Sequence, residues 1–435
     1  MQAVIMAGGK GTRLASVTKD EIPKPMVPIA GKPLLLWQIE ECRRNGIRDV
    51  IFITGHLGEQ IEAFFRDGSS YGMHISYIRE QTPLGTAGSF YALKRLLTEP
   101  YFLLVFGDVL FAVDCGRMAA FHKSHGAKAT LLVHPNGHPY DSDLVVLDDR
   151  QKVRAFLSKS RHETRNGWYD NCVNAGCYVL DRSICDLVPK QTKTDLEKDL
   201  LAPLAEQGGD IYGYRSFEYI KDIGTVERIR QAEADLADGR IWDKCFDRKQ
   251  KCIFLDRDGT LNVYRGLLWK EEDLELEQGA AEAVRRINAS GYLCILVTNQ
   301  PVVARGLCSA ADVETIHKKL ATLLGQEGAY LDGMYYCPHH PDRGYPGENP
   351  AYKIPCGCRK PGIGMLQKAA EEYHIDLSQS WIVGDTTTDI CTGIQAGMHT
   401  ALVRTGEAGK DGKYAVQPDL TGEHLTDVVE QILKL

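Results

Sequence analysis

The chain has 435 residues, 43% hydrophobic and 25% charged, the composition of a soluble globular protein long enough for two ordinary domains. Its 51 basic and 58 acidic residues leave a net charge of −7 with no long block of either sign, which argues against a polymeric nucleic acid partner. No apolar run approaches the ~20 residues that span a bilayer, the start lacks the pattern of a secretory signal, and thirteen scattered cysteines read as reduced thiols, so the expectation is a cytoplasmic protein with no membrane partner.

In chain order, β-like runs at Ala3–Met6, Val50–Thr54, Ile75–Ile78 and Phe102–Phe106 alternate with helical patterns at Leu34–Arg44 and Thr86–Leu97, the signature of an α/β layer. From Ala129 to Leu180 the pattern is mostly β, which predicts a subdomain over a parallel sheet, and helical periodicity returns at Asp195–Glu206 and Val226–Leu236. A charged stretch over 238–251 then leads into a second alternation, with strands predicted at Cys252–Leu255, Leu293–Thr298, Met334–Tyr336, Trp381–Val383 and Thr400–Val403. The expected domains are 1–237 and 251–435, joined by a linker over 238–250.

The first strand runs into Ala7-Gly8-Gly9-Lys10-Gly11-Thr12-Arg13, followed by Ile22-Pro23-Lys24. Glycines let a backbone approach a triphosphate, and Arg13 and Lys24 can hold it and stabilise charge as a phosphate is displaced. Alone, such a loop is as readily an ordinary strand-to-helix turn. With Gln81-Thr-Pro-Leu-Gly85-Thr86, Gly107-Asp108, Lys159, Asn174-Ala-Gly176, Glu197-Lys198 and Asp222-Ile-Gly-Thr225, it resembles the sugar-1-phosphate nucleotidyltransferases over residues 1 to about 235. The resemblance implies a Rossmann-like, GT-A-like fold in which a sugar phosphate attacks the α-phosphorus of a nucleoside triphosphate. Asp108 and Asp222 would hold Mg2+. Ala7, Gly8, Gly9, Gly11, Thr12, Gln81, Gly85 and Thr86 would surround the nucleotide. Asn174, Gly176, Glu197 and Lys198 would meet the sugar, and Lys159 its phosphate. Ser158 and Ser160 flank Lys159 where many relatives carry glutamate and proline, and Ser16 stands where many carry proline.

The second half opens on a strand ending in Asp256-Arg-Asp258-Gly-Thr. Two carboxylates at i and i+2 before a glycine can place one as a nucleophile and the other beside it, and acids so close call for a bridging hard cation such as Mg2+. Thr298-Asn299, Lys360 and Asp385 with Asp389 follow at later strand ends, as donors to phosphate, a charge clamp and metal carboxylates. The set resembles the haloacid dehalogenase superfamily over roughly 250–435 and implies a Rossmannoid fold and an aspartyl-phosphate intermediate. Asp256 would attack phosphorus, Asp258 would serve as acid and base, and Asp256, Asp258 and Asp385 would form the magnesium site.

Cys337-Pro-His339 and Cys356-Gly-Cys358 bracket a loop rich in glycine and proline, and three thiolates with one imidazole make a closed structural Zn2+ site, with His340 a neighbour rather than a ligand. Followed by Arg359-Lys360-Pro361, these motifs look like the subgroup that removes the 7-phosphate of heptose 1,7-bisphosphate, with histidinol-phosphate phosphatases as near relatives. Arg305 and Arg359 are the expected substrate contacts. Pro301-Val-Val-Ala-Arg-Gly306 replaces a segment in which that subgroup usually has a glycine. Together the halves imply a bifunctional enzyme of small-molecule sugar phosphates that makes heptose 1-phosphate and joins it to GMP from GTP, giving GDP-heptose. The alternatives are the same two chemistries on another sugar with another nucleotide, or one catalytically dead half that binds or regulates. The sequence leaves the oligomeric state open.

Overall fold

The computed structural model describes residues 1–9, 14–158 and 167–435, so Gly11, Thr12, Arg13 and Lys159 lie outside the described residues. The chain divides into two compact units. One comprises Met1–His134, Val145–Leu157 and Asn174–Cys245, and the other Pro135–Leu144, Ser158–Val173 and Phe246–Leu435.

The first unit is built on strands β1 (Gln2–Ala7), β2 (Asp49–Thr54), β3 (His74–Arg79), β4 (Tyr101–Phe106), β5 (Val109–Ala112), β6 (Ala129–His134), β7 (Leu144–Leu147), β8 (Val153–Leu157), β9 (Val173–Asp181), β10 (Ile211–Arg215) and β11 (Tyr219–Asp222). β1 lies between β2 and β4, parallel to both, with Ala3 opposite Val50 and Leu103. Such a strand is covered on both faces, which is why Ala3, Val4 and Ile5 form an unbroken apolar run at 0% exposure. The β-rich stretch after Ala129 does not form a separate layer. β9 pairs antiparallel with β4, β7 and β8 continue outward from it, and β6 joins β9 to β10, making one nine-stranded sheet among the described residues. Alternation in sequence identifies a strand but not the strand that will accept it.

Helix α1 (Leu34–Arg44) matches its predicted span, and α2 (Val226–Ala237) runs one residue beyond its own. The helix expected over Thr86–Leu97 shrinks to one turn at Phe90–Leu93, and that over Asp195–Glu206 begins as a π-helix at Leu196–Leu201. Both segments carry candidate ligand contacts, where backbone regularity gives way to side-chain placement. Gln38 on the buried side of α1 donates to the Phe106 and Val109 carbonyls at 2.9 and 2.6 Å, bracing the turn that presents Asp108.

The second unit holds a six-stranded parallel sheet of β12 (Lys251–Leu255), β13 (Tyr292–Asn299), β14 (Gly333–Cys337), β15 (Trp381–Gly384), β16 (His399–Val403) and β17 (Leu420–Gly422), in the order β14-β13-β12-β15-β16-β17. Helices α3 (Ala280–Asn288), α4 (Ala310–Gln326), α5 (Gly364–Glu372), α6 (Thr387–Ala396) and α7 (Leu425–Leu433) complete it. The order reverses at β12, so the carboxyl ends of β12, β13 and β15 open onto one crevice. No helix among the described residues is long and apolar enough to cross a membrane.

The Pro301–Gly306 turn is fixed by the Arg305 and Leu307 amides donating to the Pro301 and Val302 carbonyls. Gly306 sits at φ +69° with the Gly347 carbonyl oxygen 1.8 Å from where a Cβ would lie. Gly306→Ala should therefore cost more than about 1 kcal/mol of stability, while Gly291→Ala, with open space at its Cβ, should cost less. Paired chemical denaturation curves check this.

Candidate functional site

In the first unit a cleft of about 430 Å3 lies at the carboxyl end of β1, lined among others by Gly8, Gly9, Lys24, Glu80, Gly85, Thr86 and Asp108. Gly8 and Gly9 continue from Ala7 at the strand end, and the Lys24 ammonium is paired with Asp108. Asp222 ends β11 opposite Val109, and the Ile223 amide donates to the Asp108 carbonyl at 2.6 Å, so the two acids sit on adjoining strand ends. Arg228 holds the Asp222 carboxylate from the first turn of α2, which Thr225 caps.

Gly85, at φ +82°, approaches the Thr194 carbonyl so closely that a Cβ would lie 2.5 Å from its oxygen. Thr86 Oγ1 accepts from the Leu196 amide at 2.7 Å and donates to Asp195 at 3.3 Å. Asp195 also caps the π-helix through the Glu197 and Lys198 amides. The loop of nucleotide candidates is thus tied to the segment of sugar candidates. Asn174 Nδ2 and the Tyr178 hydroxyl donate to the same Glu197 oxygen at 2.8 and 2.7 Å, and Gly176 lies between them on β9 at φ +71°. Lys198 is exposed.

Gln81 is exposed and is not among the cleft's lining residues; its neighbour Glu80 is, accepting from Ser89 Oγ at 2.5 Å and the Leu84 amide at 3.3 Å. Both residues follow the end of β3, Glu80 directly and Gln81 in the bend after it. Sequence reasoning missed Glu80, Asp195 and Tyr178. For Tyr178 the spacing from Asn174 and Gly176, i+4 and i+2 on one strand face, was the available signal.

In the second unit Asp256 follows β12, and its amide donates to the Val383 carbonyl of β15 at 2.9 Å. Lys360 is buried with its ammonium donating to Asp256 Oδ1 at 2.7 Å, Asp389 Oδ1 at 2.5 Å and the Val297 carbonyl at 2.9 Å. Asn299 fixes the Lys360 backbone from β13, accepting from its amide at 2.9 Å and donating to its carbonyl at 3.1 Å. Asp385 follows β15; its Oδ2 accepts from the Glu407 amide at 2.7 Å, while its buried Oδ1 has no hydrogen-bond partner.

Asp256, Asp385 and Asp389 offer carboxylate oxygens within 4.8 Å of one another. Three carboxylates and one ammonium sum to −2, and the orphaned Asp385 oxygen is a buried acceptor without a donor, so the donor set fits one divalent hard cation. Asp389 Oδ2 is engaged by the Thr386 hydroxyl at 2.6 Å, which makes Asp389 a brace for α6 and Lys360. The Asp258 carboxylate stands outside this cluster. It accepts from Arg257, Asn262 and Gln300 at 2.9–3.1 Å, and Gln300 also donates to Thr298 Oγ1 at 2.9 Å. Of the expected magnesium residues, Asp256 and Asp385 bring their carboxylates together beside Asp389, while the Asp258 carboxylate lies apart from that group.

Cys337, His339, Cys356 and Cys358 converge with Sγ and Nδ1 atoms 3.2–3.6 Å apart. Ligands bound at 2.0–2.3 Å in a tetrahedron lie roughly 3.5–3.8 Å from one another, so the set fits a closed four-coordinate ion with no position left for water. His340 is outside it, its Nδ1 accepting from the Asp342 amide at 3.2 Å. Arg359 donates to the His339 carbonyl at 3.2 Å, and the Arg305 guanidinium lies 4.5 Å from the Tyr345 ring centre. The four-ligand cluster therefore anchors the strand of chain that carries Arg359 and Lys360.

A parallel sheet whose strand ends gather a buried aspartate, a lysine and further acids defines a phosphotransfer centre of the haloacid dehalogenase type. The glycine-lined cleft with acids on adjoining strands defines a nucleotidyltransferase. The comparisons agree: residues 2–239 match the Nucleotidyl transferase family and 357–428 the HAD-hydrolase-like family. The chain belongs to the first through its N-terminal half and to the HAD-like phosphatases through its C-terminal half. The latter half is 41% identical over 161 residues to the D-glycero-beta-D-manno-heptose-1,7-bisphosphate 7-phosphatase of Haemophilus ducreyi, covering 37% of this chain and 86% of that one. The former is 36% identical over 237 residues to the D-glycero-alpha-D-manno-heptose 1-phosphate guanylyltransferase of Aneurinibacillus thermoaerophilus, covering 54% of this chain and 98% of that one. It is also 35% identical over 240 residues to a mannose-1-phosphate guanylyltransferase of Mycobacterium tuberculosis, covering 55% of this chain and only 65% of that protein's length.

Burial raises Asp256 to about 6, against the pull of Lys360 and with the push of Asp389 and Asp258. Burial, then the charges of Asp256 and Asp389, raises Asp385 to about 8. Both lie above the ordinary aspartate value of about 3.9, so ionising them costs native stability; that cost is absent below about pH 4 and complete above about pH 8. A divalent cation removes it. Millimolar Mg2+ should therefore raise the phosphatase melting temperature more at pH 8 than at pH 5.5. Asp385→Asn should abolish that increment and flatten the pH dependence in chelator, as calorimetry at the two pH values would show.

Proposed function

We propose that this protein is a bifunctional enzyme of nucleotide-activated heptose synthesis. Its C-terminal half, residues 251–435, removes the 7-phosphate from D-glycero-D-manno-heptose 1,7-bisphosphate. Its N-terminal half, residues 1–237, transfers GMP from GTP to heptose 1-phosphate, releasing pyrophosphate. The observation that carries the reading is the pairing on one chain of relatives named for heptose 1,7-bisphosphate 7-phosphatase and heptose 1-phosphate guanylyltransferase, steps that join through a heptose 1-phosphate once the anomer is the same, which the incubation with both anomers decides.

In the phosphatase Asp256 attacks phosphorus, and Asp258 protonates the leaving oxygen and then takes a proton from the attacking water. Thr298 and Asn299 act at the phosphate, and Lys360 offsets its charge. Mg2+ held by Asp256 and Asp385 supplies further charge neutralisation when bound. Zn2+ on Cys337, His339, Cys356 and Cys358 is structural, and Arg305 and Arg359 meet the substrate beyond the reacting phosphate. In the transferase Asp108 and Asp222 would hold Mg2+, which would offset triphosphate charge when bound. Arg13 and Lys24 hold the triphosphate, and Asn174, Gly176 and Glu197 the sugar. Glu80 supports GTP: a carboxylate only accepts, and guanine alone among the common bases offers adjacent N1–H and N2–H2 donors on one edge. Reduced thiols and small soluble substrates suit the cytoplasm.

Incubating the protein with α- or β-heptose 1,7-bisphosphate, each nucleoside triphosphate and Mg2+ should yield phosphate, pyrophosphate and GDP-heptose by mass spectrometry. Release of the 1-phosphate, or transfer confined to mannose 1-phosphate, overturns the heptose assignment. Asp256→Asn should abolish phosphate release alone and Asp108→Asn nucleotide transfer alone, each by more than about 100-fold. Glu80→Gln should lower kcat/KM for GTP relative to other triphosphates. Cys358→Ser should reduce bound zinc, measured by mass spectrometry of the metal, and lower phosphatase activity while transfer persists.

A further inference from the structure

Asp258 is surrounded more completely than a group free to turn needs to be. Oδ1 accepts from Arg257 Nε at 3.3 Å, Arg257 Nη2 at 3.0 Å and Asn262 at 3.1 Å; Oδ2 accepts from Arg257 Nη2 at 2.9 Å and Gln300 at 2.9 Å. Arg257 is 0% exposed and Gln300 1% exposed. The guanidinium rests against His317 of α4, 3.5 Å from its Nε2, and burial followed by the Arg257 charge pushes that imidazole down to about 3, leaving it a neutral wall. From the other side the Gln300 side chain is held at Thr298, and its backbone amide donates at 2.8 Å to the carbonyl of Cys337, a residue of the four-ligand cluster. Two elements with no sequence proximity, α4 and the end of β13, thus converge on one carboxyl group.

We propose that Arg257 and Gln300 are positioning residues that aim the Asp258 carboxyl at the leaving-group oxygen, and that through Gln300 the metal-stapled loop contributes to acid catalysis as well as to holding Lys360. The inference rests on the reading of Asp258 as the acid. In the first step an Asp256 oxygen bonds to phosphorus, the phosphorus–oxygen bond to the leaving group breaks, and the proton on Asp258 passes to that oxygen. In the second, water attacks phosphorus, its proton goes to Asp258 and the Asp256–phosphorus bond breaks. Only the first step needs an acid matched in direction to the leaving oxygen, and it needs one only when that oxygen is a poor leaving group. Two parallel donors from one guanidinium fix the plane of a carboxylate, which a lysine's single point charge does not.

The test is the dependence of kcat/KM on leaving group for Gln300→Leu and Arg257→Lys, using p-nitrophenyl phosphate and a series of alkyl phosphates with the full-length protein loaded with magnesium. Both variants should lose about 100-fold on alkyl phosphates and less than about 5-fold on p-nitrophenyl phosphate, with KM little changed. An equal loss on all substrates, or none on alkyl phosphates, overturns the proposal. Should Arg257→Lys fail to fold because its site is buried, Gln300→Leu decides the matter by the same two outcomes. Asp258→Asn in parallel separates the two readings: if it too shows no leaving-group dependence, the assignment of Asp258 as acid fails; if it does and the positioning variants do not, only this inference fails.

Discussion

The C-terminal centre depends on a buried ammonium between two buried carboxylates. Burial alone would strip Lys360 of its proton, but Asp256 and Asp389 overcome that and hold its pKa above the usual lysine value. Removing one member of such a group leaves an uncompensated charge in a low-dielectric interior, so each fixes the others. Asp389 is in turn locked by Thr386 at the start of α6, and Lys360 by Asn299 at the end of β13. The residual charge of the cluster is negative, and the one fully buried oxygen among these acids that lacks a hydrogen-bond partner belongs to Asp385, so the group fits a divalent cation.

The two halves meet the problem of phosphate chemistry differently. The phosphatase half buries its charges, so its geometry is fixed by packing and by the Cys-His cluster beside the Lys360 loop. The transferase has an open cleft lined by Asp108, with Asp222 on the adjoining strand end, and each acid is balanced by a cationic side chain, Lys24 and Arg228. Its reacting groups both arrive with substrate, so the protein needs only to orient phosphates and spread charge. A glycine loop at a strand end and acids on neighbouring strands suffice for that, and α1 holds the turn between them through Gln38.

Much of this was legible in the sequence where a short local pattern carries the chemistry. Asp256, Lys360, Asp385 and the Cys-His set lie in compact motifs at strand ends, and the structure brings them together as expected. What was not legible is partnership at a distance. Arg257 beside Asp258 reads as a spacer between two acids until His317 and the crevice turn its guanidinium back onto its neighbour. Glu80 and Gln81 are indistinguishable by motif, and only the path of the chain after β3 decides that Glu80 lines the cleft. Asp389 reads as a metal ligand by spacing, yet its two oxygens are spent on Lys360 and Thr386.

The sequence by itself determined the two α/β layers, the strand-end location of both centres and the residue types that do the chemistry, because periodicity and short motifs are local properties of the chain. Tertiary structure decided that the β-rich segment after Ala129 extends the main sheet, which acids gather beside Lys360, and which donors surround Asp258. Those are long-range matters: the partner of a strand, or of a buried charge, is chosen by what the rest of the fold brings within a few ångströms, and no window of sequence contains both.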